Sequence, residues 1–394
     1  MIRATNISRG KIINKSLVFI DPSDIPQGKD AILEAGEIIV VRSGAYTADS
    51  AIVTEDYAGA VVGYDMVVTP KNIEPAFLQW CLLSPYVLKD QLIASSMRAA
   101  QPHLNAEELG ATELLLPPLK EQTQIARYLD WKTAQIDRFI RNKRRLIELL
   151  KEQKQALINQ AVTGAIDVRT GKPYPGYKDS SVPWLGKMPS GWSVRKLKYI
   201  GDMQSGDNLT SEEIQVSGIY PVYGGNGQRG YYHEYNRDGH FLLIGRQGAL
   251  CGNVHRVDGR FWATEHAVVV KPRNEIDRDW YYYMLIVMNL NQYSESAAQP
   301  GISVEKIQNL VTTVPKMGEQ KAIAKYLNQV ASAIENTIIR TQREIDLMQE
   351  YRTRLITDVV TGKLDVRGIE IPDSVDEGAT AEGGSTGVFK EAVV

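Results

Sequence analysis

The chain is poor in the residues that build small stapled or metal-centred proteins. Only two cysteines, Cys81 and Cys251, occur in 394 residues. That excludes a disulfide framework and a cysteine-built zinc site, and makes a reducing cytoplasm the expected compartment. The five histidines (His103, His233, His240, His255 and His266) show no zinc-ligand spacing. No apolar run approaches the roughly 20 residues of a membrane span, and the opening MIRATNISRGK has no apolar signal core, so no membrane partner is expected. There is no G-x-x-x-x-G-K-[ST] phosphate loop and no Asn-Pro-Pro-aromatic sequence. Catalysis by this chain is therefore not expected.

Net charge is also small, at −2. Residues 367–394 carry six acids against Arg367 and Lys390, a net of −4, which leaves +2 for the other 366 residues. The acidic, Gly- and Ser-rich tail reads as disordered, and the mildly positive body permits nucleic-acid binding without demanding it.

What the chain does have is one long segment twice. Residues 113–168 (ELLLPPLKEQTQIARYL to AVTGAIDV) repeat as 311–366 (VTTVPKMGEQKAIAKYL to VVTGKLDV). Glu121-Gln122 matches Glu319-Gln320 and Asp167-Val168 matches Asp365-Val366, always offset by 198 without a gap. So long a period is no solenoid; it implies two copies of a domain-plus-helix module and an internal pseudo-two-fold. From about Lys120 to Val162, and again from Glu319 to Val360, there is no Pro or Gly, and Gly164 and Gly362 follow as stops; this predicts helices of about 42 residues, roughly 63 Å long. Leu129, Ile136, Leu150 and Leu157 fall on one heptad position of the first helix, with Ile125, Phe139 and Leu146 as the companion row. The second carries Ile323, Leu327, Ile334, Met348 and Leu355, flanked by Ile338 and Ile345. Either each helix packs on its own domain, or the two pack on each other antiparallel, the arrangement we favour.

Before each helix, short apolar runs broken by Gly, Pro and Asn predict strands, including 37–42, 60–68, 239–245 and 267–271. Val41-Arg42-Ser43-Gly44-Ala45 parallels Gly245-Arg246-Gln247-Gly248-Ala249, and AAQPHL at 99–104 parallels AAQPGI at 297–302. The second module opens on KPYPGYKDSSVPWLGKMPSGW, from Lys172 to Trp192, which has no counterpart in the first. Aligning Asn6 with Asn226 makes the first domain about 50 residues short at its front. The expected organisation is therefore domain 1–117 (incomplete), helix 118–170, domain 171–314, helix 315–366 and tail 367–394.

These motifs, recurring in order, resemble the specificity subunits of type I restriction–modification enzymes. The resemblance implies an α+β fold: two α/β target-recognition domains in tandem, separated by two long helices packed as an antiparallel coiled coil. It also implies binding of a bipartite, asymmetric double-stranded DNA site, with two methyltransferase subunits and restriction or motor subunits as partners. The chain would bind no cofactor; S-adenosylmethionine, ATP and magnesium would belong to those partners. Set against this are a coiled-coil scaffold that has lost DNA recognition through its short first domain, and a module that acts fused to a methyltransferase–nuclease.

Base reading needs donors that reach base edges and cations that hold phosphates. The first domain offers Arg3, Asn6, Arg9, Lys11, Arg42, Tyr46 and Arg98. The second offers Asn226, Arg229, Tyr231, Arg246, Gln247 and Arg256. Arg42 and Arg246, being equivalent, are expected to hold backbone or fold rather than to discriminate. Gly225-Asn-Gly-Gln-Arg-Gly230 satisfies G-x-G-x-x-G, but the extended-looking Tyr231–Tyr235 after it argues for a turn in a recognition loop rather than a dinucleotide site. Arg141-Asn-Lys-Arg-Arg145 reads equally well as a phosphate contact or a solvated helix face.

Overall fold

The computed structural model describes residues 1–21, 23, 32–97, 102–182, 184–248, 250–294 and 301–372. The chain divides into two compact units, Met1–Arg144 with Gln342–Val394, and Arg145–Thr341. Each unit thus holds one domain and part of both long helices, a division that cuts across the sequence-based boundaries.

Unit 1 begins with the small hairpin β1 (Ile7–Ser8) and β2 (Lys11–Ile12), followed by β3 (Ile38–Val40), β4 (Ser50–Ile52) and β5 (Met66–Val68). The last three form an antiparallel sheet with β3 in the centre. Neighbouring strand residues point to opposite faces. Ile38 and Val40 accordingly pack with Leu78, Leu82 and Leu104, while Ile39 packs with Ile2, Ile7 and Val53. Both faces are covered, which is why the run is apolar throughout rather than alternating. Helix α1 (Pro75–Leu83) covers one face, with proline at its start where no N–H is needed. The turns α2 (Pro85–Val87), α3 (Ala94–Ser96) and α4 (Ala106–Gly110) lead to the long helix α5 (Leu119–Val162).

Unit 2 repeats the plan at larger size. After β6 (Tyr177–Asp179), β7 (Lys187–Pro189) and β8 (Ser193–Lys196) come β9 (Gly201–Ser205), β10 (Tyr220–Gly224), β11 (Gly227–Tyr232), β12 (Arg237–Gly245), β13 (Val254–Ala263) and β14 (Ala267–Pro272). The main sheet runs β11-β10-β13-β12-β14-β9, with only β10–β13 parallel. Leu242 and Ile244 of β12 face the large core and Leu243 the opposite cluster, the same two-sided burial as β3. Helix α6 (Arg278–Val287) follows, its first turn capped by the Asp277 carboxylate, which accepts from the Trp280 N–H at 2.9 Å. Then come α7 (Val304–Asn309), β15 (Val311–Val314) and the second long helix α8 (Met317–Val360).

The repeat is visible bond by bond. Buried Gln122 donates to the Pro117 carbonyl (2.8 Å) and accepts from the Glu74 N–H ahead of α1 (2.8 Å). Buried Gln320 donates to Pro315 (2.9 Å) and accepts from the Asp277 N–H ahead of α6 (2.7 Å). Each glutamine fastens the start of a long helix to the cap of the shorter one. The Trp80 indole donates to Asp130 (2.9 Å) where the Tyr283 hydroxyl donates to Asn328 (2.9 Å). The Arg169 and Arg367 guanidinium forks hold Asp167 and Asp365 in the same way. Ile2 bridges Val62 in parallel as Val222 bridges Trp262, which supports the alignment of Asn6 with Asn226.

Within each unit the two helices run antiparallel. In unit 1, Asp137 pairs with Arg352 (3.5 Å) and Lys143 with Glu344 (2.7 Å), so the partner number falls as the first rises. In unit 2, Lys154 reaches Glu335 at 3.0 Å. Leu129 and Ile136 are buried as expected, but the companion row is Thr133, Ile140 and Ile147, while Leu146 is 38 % exposed. The row sits one residue later than its hydrophobicity suggests, because polar Thr133 and Lys154 occupy seam positions that a heptad search passes over. On α8 the buried stripe comprises Leu327, which joins the domain core, and Ile334, Thr341, Ile345 and Leu355. The run at 141–145 belongs partly to the helix pair: Lys143 engages Glu344, and Arg145 engages Glu148 at 3.1 Å.

Candidate nucleic-acid interface

In unit 2 the G-x-G-x-x-G segment is the two-residue turn Gly225-Asn226 after β10 and the start of β11, with Gly227 at φ +92°. A dinucleotide site needs a helix there, whereas this segment turns a β-hairpin. Glycines set how closely neighbours approach it. A side chain on Gly245 would collide with the Gly225 carbonyl, and Gly227 lies against the His255 ring. The turn is thereby pressed onto the end of β12 and the start of β13. Asn226 accepts from the Asn253 amide at 3.1 Å, which fixes the tip.

This construction leaves Asn226, Gln228, Arg229 and Gln247 exposed, with Tyr231 half-buried beside them. Among the described residues the Arg229 guanidinium and the Gln228 and Gln247 amides have no side-chain partner. Unspent donors on a braced hairpin suit base edges, Arg for guanine and Gln or Asn for adenine. His255 beneath the turn has its pKa lowered by burial, so the ring is held neutral.

Arg246 is differently placed. Its N–H donates to the His266 carbonyl (3.0 Å), its own carbonyl accepts from Ile302 (3.0 Å), and its guanidinium donates to the Ser205 hydroxyl (3.2 Å). Arg42 has the matching bond: its carbonyl accepts from Leu104 (2.8 Å), and its guanidinium lies 4.9 Å over the Tyr64 ring. Ser43 bridges His103 as Gln247 bridges Gly301. The two arginines are thus structural equivalents rooted in the fold.

Several candidates leave the interface. Asn6 is fully buried: it accepts from the Arg3 N–H (3.1 Å) and donates to the Ile13 and Lys15 carbonyls (3.2 and 2.9 Å). It staples a loop, and no donor remains for a base. The Arg3 guanidinium ties down the same loop through the Ser16 carbonyl (3.0 Å). Arg256 turns toward the helices, bonding Asn328 (2.9 Å) and Asp279 (3.2 Å) while lying 4.3 Å over the Tyr282 ring. Lys11 lines a cavity of about 450 Å³ with Asp130 and Asp137, and its charge opposes the upward pKa shift that burial gives Asp130. Arg98 lies outside the described residues, as does most of the acidic tail.

Arg9 and Tyr46 do gather. The Arg9 N–H donates to the Asp49 carboxylate (3.1 Å), and the Asp49 N–H donates to the Tyr46 carbonyl (2.9 Å). Arg9 sits at φ +44° on the β1–β2 tip, and Tyr46 is half exposed. Sequence reasoning missed the parts that brace these loops: Asn253, Asp49 and Tyr64. Nothing in one sequence distinguishes them from ordinary surface residues, because their partners are distant in the chain.

Fold and site together define a duplicated recognition module, two sheet domains each carrying braced polar loops and a long helix. The family profile for the type I restriction modification DNA specificity domain matches twice, over residues 3–152 and 189–342. The chain belongs to this family. It is 43 % identical over 179 residues to the type I restriction enzyme EcoprrI specificity subunit of Escherichia coli, covering 44 % of this chain and 43 % of that one. The aligned part thus spans less than half of that relative. Against the MjaVIII specificity subunit of Methanocaldococcus jannaschii the identity is 22 % over 312 residues, 72 % of this chain and 69 % of the relative. Two solved structures share the fold. One comes from work on complex assembly and conformational transition of the type I R-M system (TM-score 0.69, 19 % identity, 92 % and 91 % coverage). The other is the HsdS subunit of Thermoanaerobacter tengcongensis (TM-score 0.57, 22 % identity, 92 % and 90 % coverage).

Proposed function

We propose that this chain is the DNA-specificity subunit of a type I restriction–modification complex, reading a bipartite, asymmetric site with one domain per half. The observation that carries the reading is the division of the repeat. The bonds that build the modules recur pair by pair, while the loop side chains differ: Asn226, Gln228, Arg229 and Gln247 on one module, Arg9 and Tyr46 on the other. Arg42 and Arg246, alike in both, position the duplex through its backbone; the unlike residues discriminate. The helices set the spacing of the half-sites and dock two methyltransferase subunits, with restriction subunits completing the assembly. Chemistry, with S-adenosylmethionine, ATP and magnesium, belongs to those partner chains, and the chain works in the cytoplasm.

A gel shift with purified methyltransferase subunits tests this. The expected result is a complex that prefers one bipartite sequence over scrambled duplexes; a stable assembly without any sequence preference would sink the proposal. Removing one heptad from each helix is expected to change the spacer in the methylated motif, read by long-read methylation mapping.

A further inference from the structure

In each module a sheet strand, the shorter helix and the long helix meet at one place, and the two modules fill it differently. In unit 2 it is filled by Arg256 of β13. The guanidinium bonds Asn328 of α8 at 2.9 Å and Asp279 of α6 at 3.2 Å. It also lies over the Tyr282 and Tyr283 rings at 4.3 and 5.7 Å.

The bonds that recur between the modules identify the equivalent residues of unit 1. Trp80 bonds Asp130 as Tyr283 bonds Asn328, so Trp80 stands for Tyr283 and Asp130 for Asn328. Counting back along the shorter helices puts Gln79 at the place of Tyr282 and Ala76 at that of Asp279. Ile38 and Leu242 each precede the equivalent Arg42 and Arg246 by four residues. Ile52, opposite Ile38, therefore stands where Arg256 stands opposite Leu242. In unit 1 these five residues, Ile52, Ala76, Gln79, Trp80 and Asp130, line the cavity of about 450 Å³.

Isoleucine carries no donor, and acceptors on the cavity wall are left over. The Asp130 carboxylate accepts from the Trp80 indole at 2.9 Å, and among the described residues no second hydrogen bond or ion pair reaches it. Burial raises its pKa, as for a carboxylate short of compensation. Gln79 is 4 % exposed; its amide donates to the Ser50 hydroxyl at 2.9 Å, and its Oε1 has no partner among the described residues. Arg352 is already paired with Asp137 at 3.5 Å. Lys11 is exposed and makes no ion pair among the described residues. What opens the cavity lies in described strands and helices: Ile52 in place of Arg256, and Gln79 in place of Tyr282.

We propose that this cavity binds an alkylguanidinium group, of a small free ligand or of a partner's arginine side chain, in the place that Arg256 fills in the other module. Asp130 accepts from its N–H groups and supplies the opposite charge, Gln79 Oε1 accepts a further N–H, and the plane lies against Trp80. A planar fork of donors suits two acceptors and a ring, whereas an ammonium is a point charge that cannot stack. Each module then offers its cation one carboxylate, Asp279 in unit 2 and Asp130 in unit 1. This inference rests on the duplication and stands apart from the DNA reading.

The test is calorimetric titration of the full chain, without DNA, using agmatine and a short arginine-bearing peptide. Saturable agmatine binding is expected, with the diamine cadaverine about tenfold weaker. Asp130→Asn installs the amide that unit 2 carries there, keeps an acceptor for the indole, and should weaken binding about tenfold. Ile52→Arg installs the side chain of the other module and should abolish binding while raising the melting temperature. Binding of agmatine alone marks a free ligand; binding of both probes marks an arginine side chain. Absence of saturable binding overturns the proposal and leaves Lys11 as the cation that serves Asp130. Equal binding of cadaverine, or binding unchanged in both variants, overturns it as well.

Discussion

Unit 2 and unit 1 share a helix start, a central strand and a buried glutamine, yet they differ in size and in what lies beside the strand that leads into the long helix. Where β8 lies along β15, Val314 is buried; among the described residues no strand lies along 113–116, and Leu116 is 61 % exposed. The comparison separates what the two modules share from what distinguishes them. The glutamine staples, the Asp–Arg forks and the two-sided apolar strand occur in both units. Among the described residues, the basic strand β8 and the tryptophan beside it occur in unit 2.

The difference can be attacked directly. Trp192→Ala removes a large side chain from the core of unit 2, and a cost of about 3–5 kcal/mol is expected. Hydrogen exchange should show the loss in unit 2 while the amides of β3 to β5 keep their protection. Equal loss in both units would refute the separation drawn between them.

The shared part is sharpened by Gln122→Leu and Gln320→Leu. Each leaves a carbonyl and a cap N–H buried without a partner, and about 1–3 kcal/mol is expected for either. Chemical denaturation should give a somewhat larger shift for Gln320→Leu, since Gln320 also donates to the Glu275 carbonyl at 3.3 Å. A smaller shift for Gln320→Leu than for Gln122→Leu would refute the equivalence of the two staples.

The loops are probed by Arg229→Ala in the assembled complex. A loss of about 1–3 kcal/mol in discrimination at one base pair is expected, with no change in melting temperature. Competition binding across single-base variants of the site reads it. Arg42→Ala should instead weaken binding alike for all sequences and flatten its salt dependence.

The smallest effect concerns pH. Burial lowers the His255 pKa, so the folded state binds fewer protons than the unfolded one between the two values. Stability supplied by the neutral ring is present above the unfolded value of about 6.5 and is lost as pH falls toward the folded one. Thermal melts at decreasing pH should show unit 2 weakening, and His255→Phe should reduce that slope. An unchanged slope would place the proton elsewhere.

Much of this was legible in the sequence because the repeat is covalent and in register. The offset of 198 located both long helices to within a few residues, and Gly164 and Gly362 marked their ends. The hairpin at Gly225 followed from glycine spacing and the strand-like residues after it. Less legible was the helix seam, where Thr133 and Lys154 conceal the true companion row. Asn6 and Arg256 misled for a related reason. Polar type shows what a side chain can do, but which atoms it spends on its own fold depends on neighbours remote in the chain.

The sequence by itself determined the duplicated plan, the family and the helices, because periodicity and local backbone preference are properties of neighbouring residues. Only the tertiary structure decided which polar groups remain unspent among the described residues, such as Arg229 on its braced turn, and which side chains are buried, such as Asn6. Both depend on contacts between segments far apart in the chain, where hydrogen bonds and buried area are settled by packing rather than by residue order.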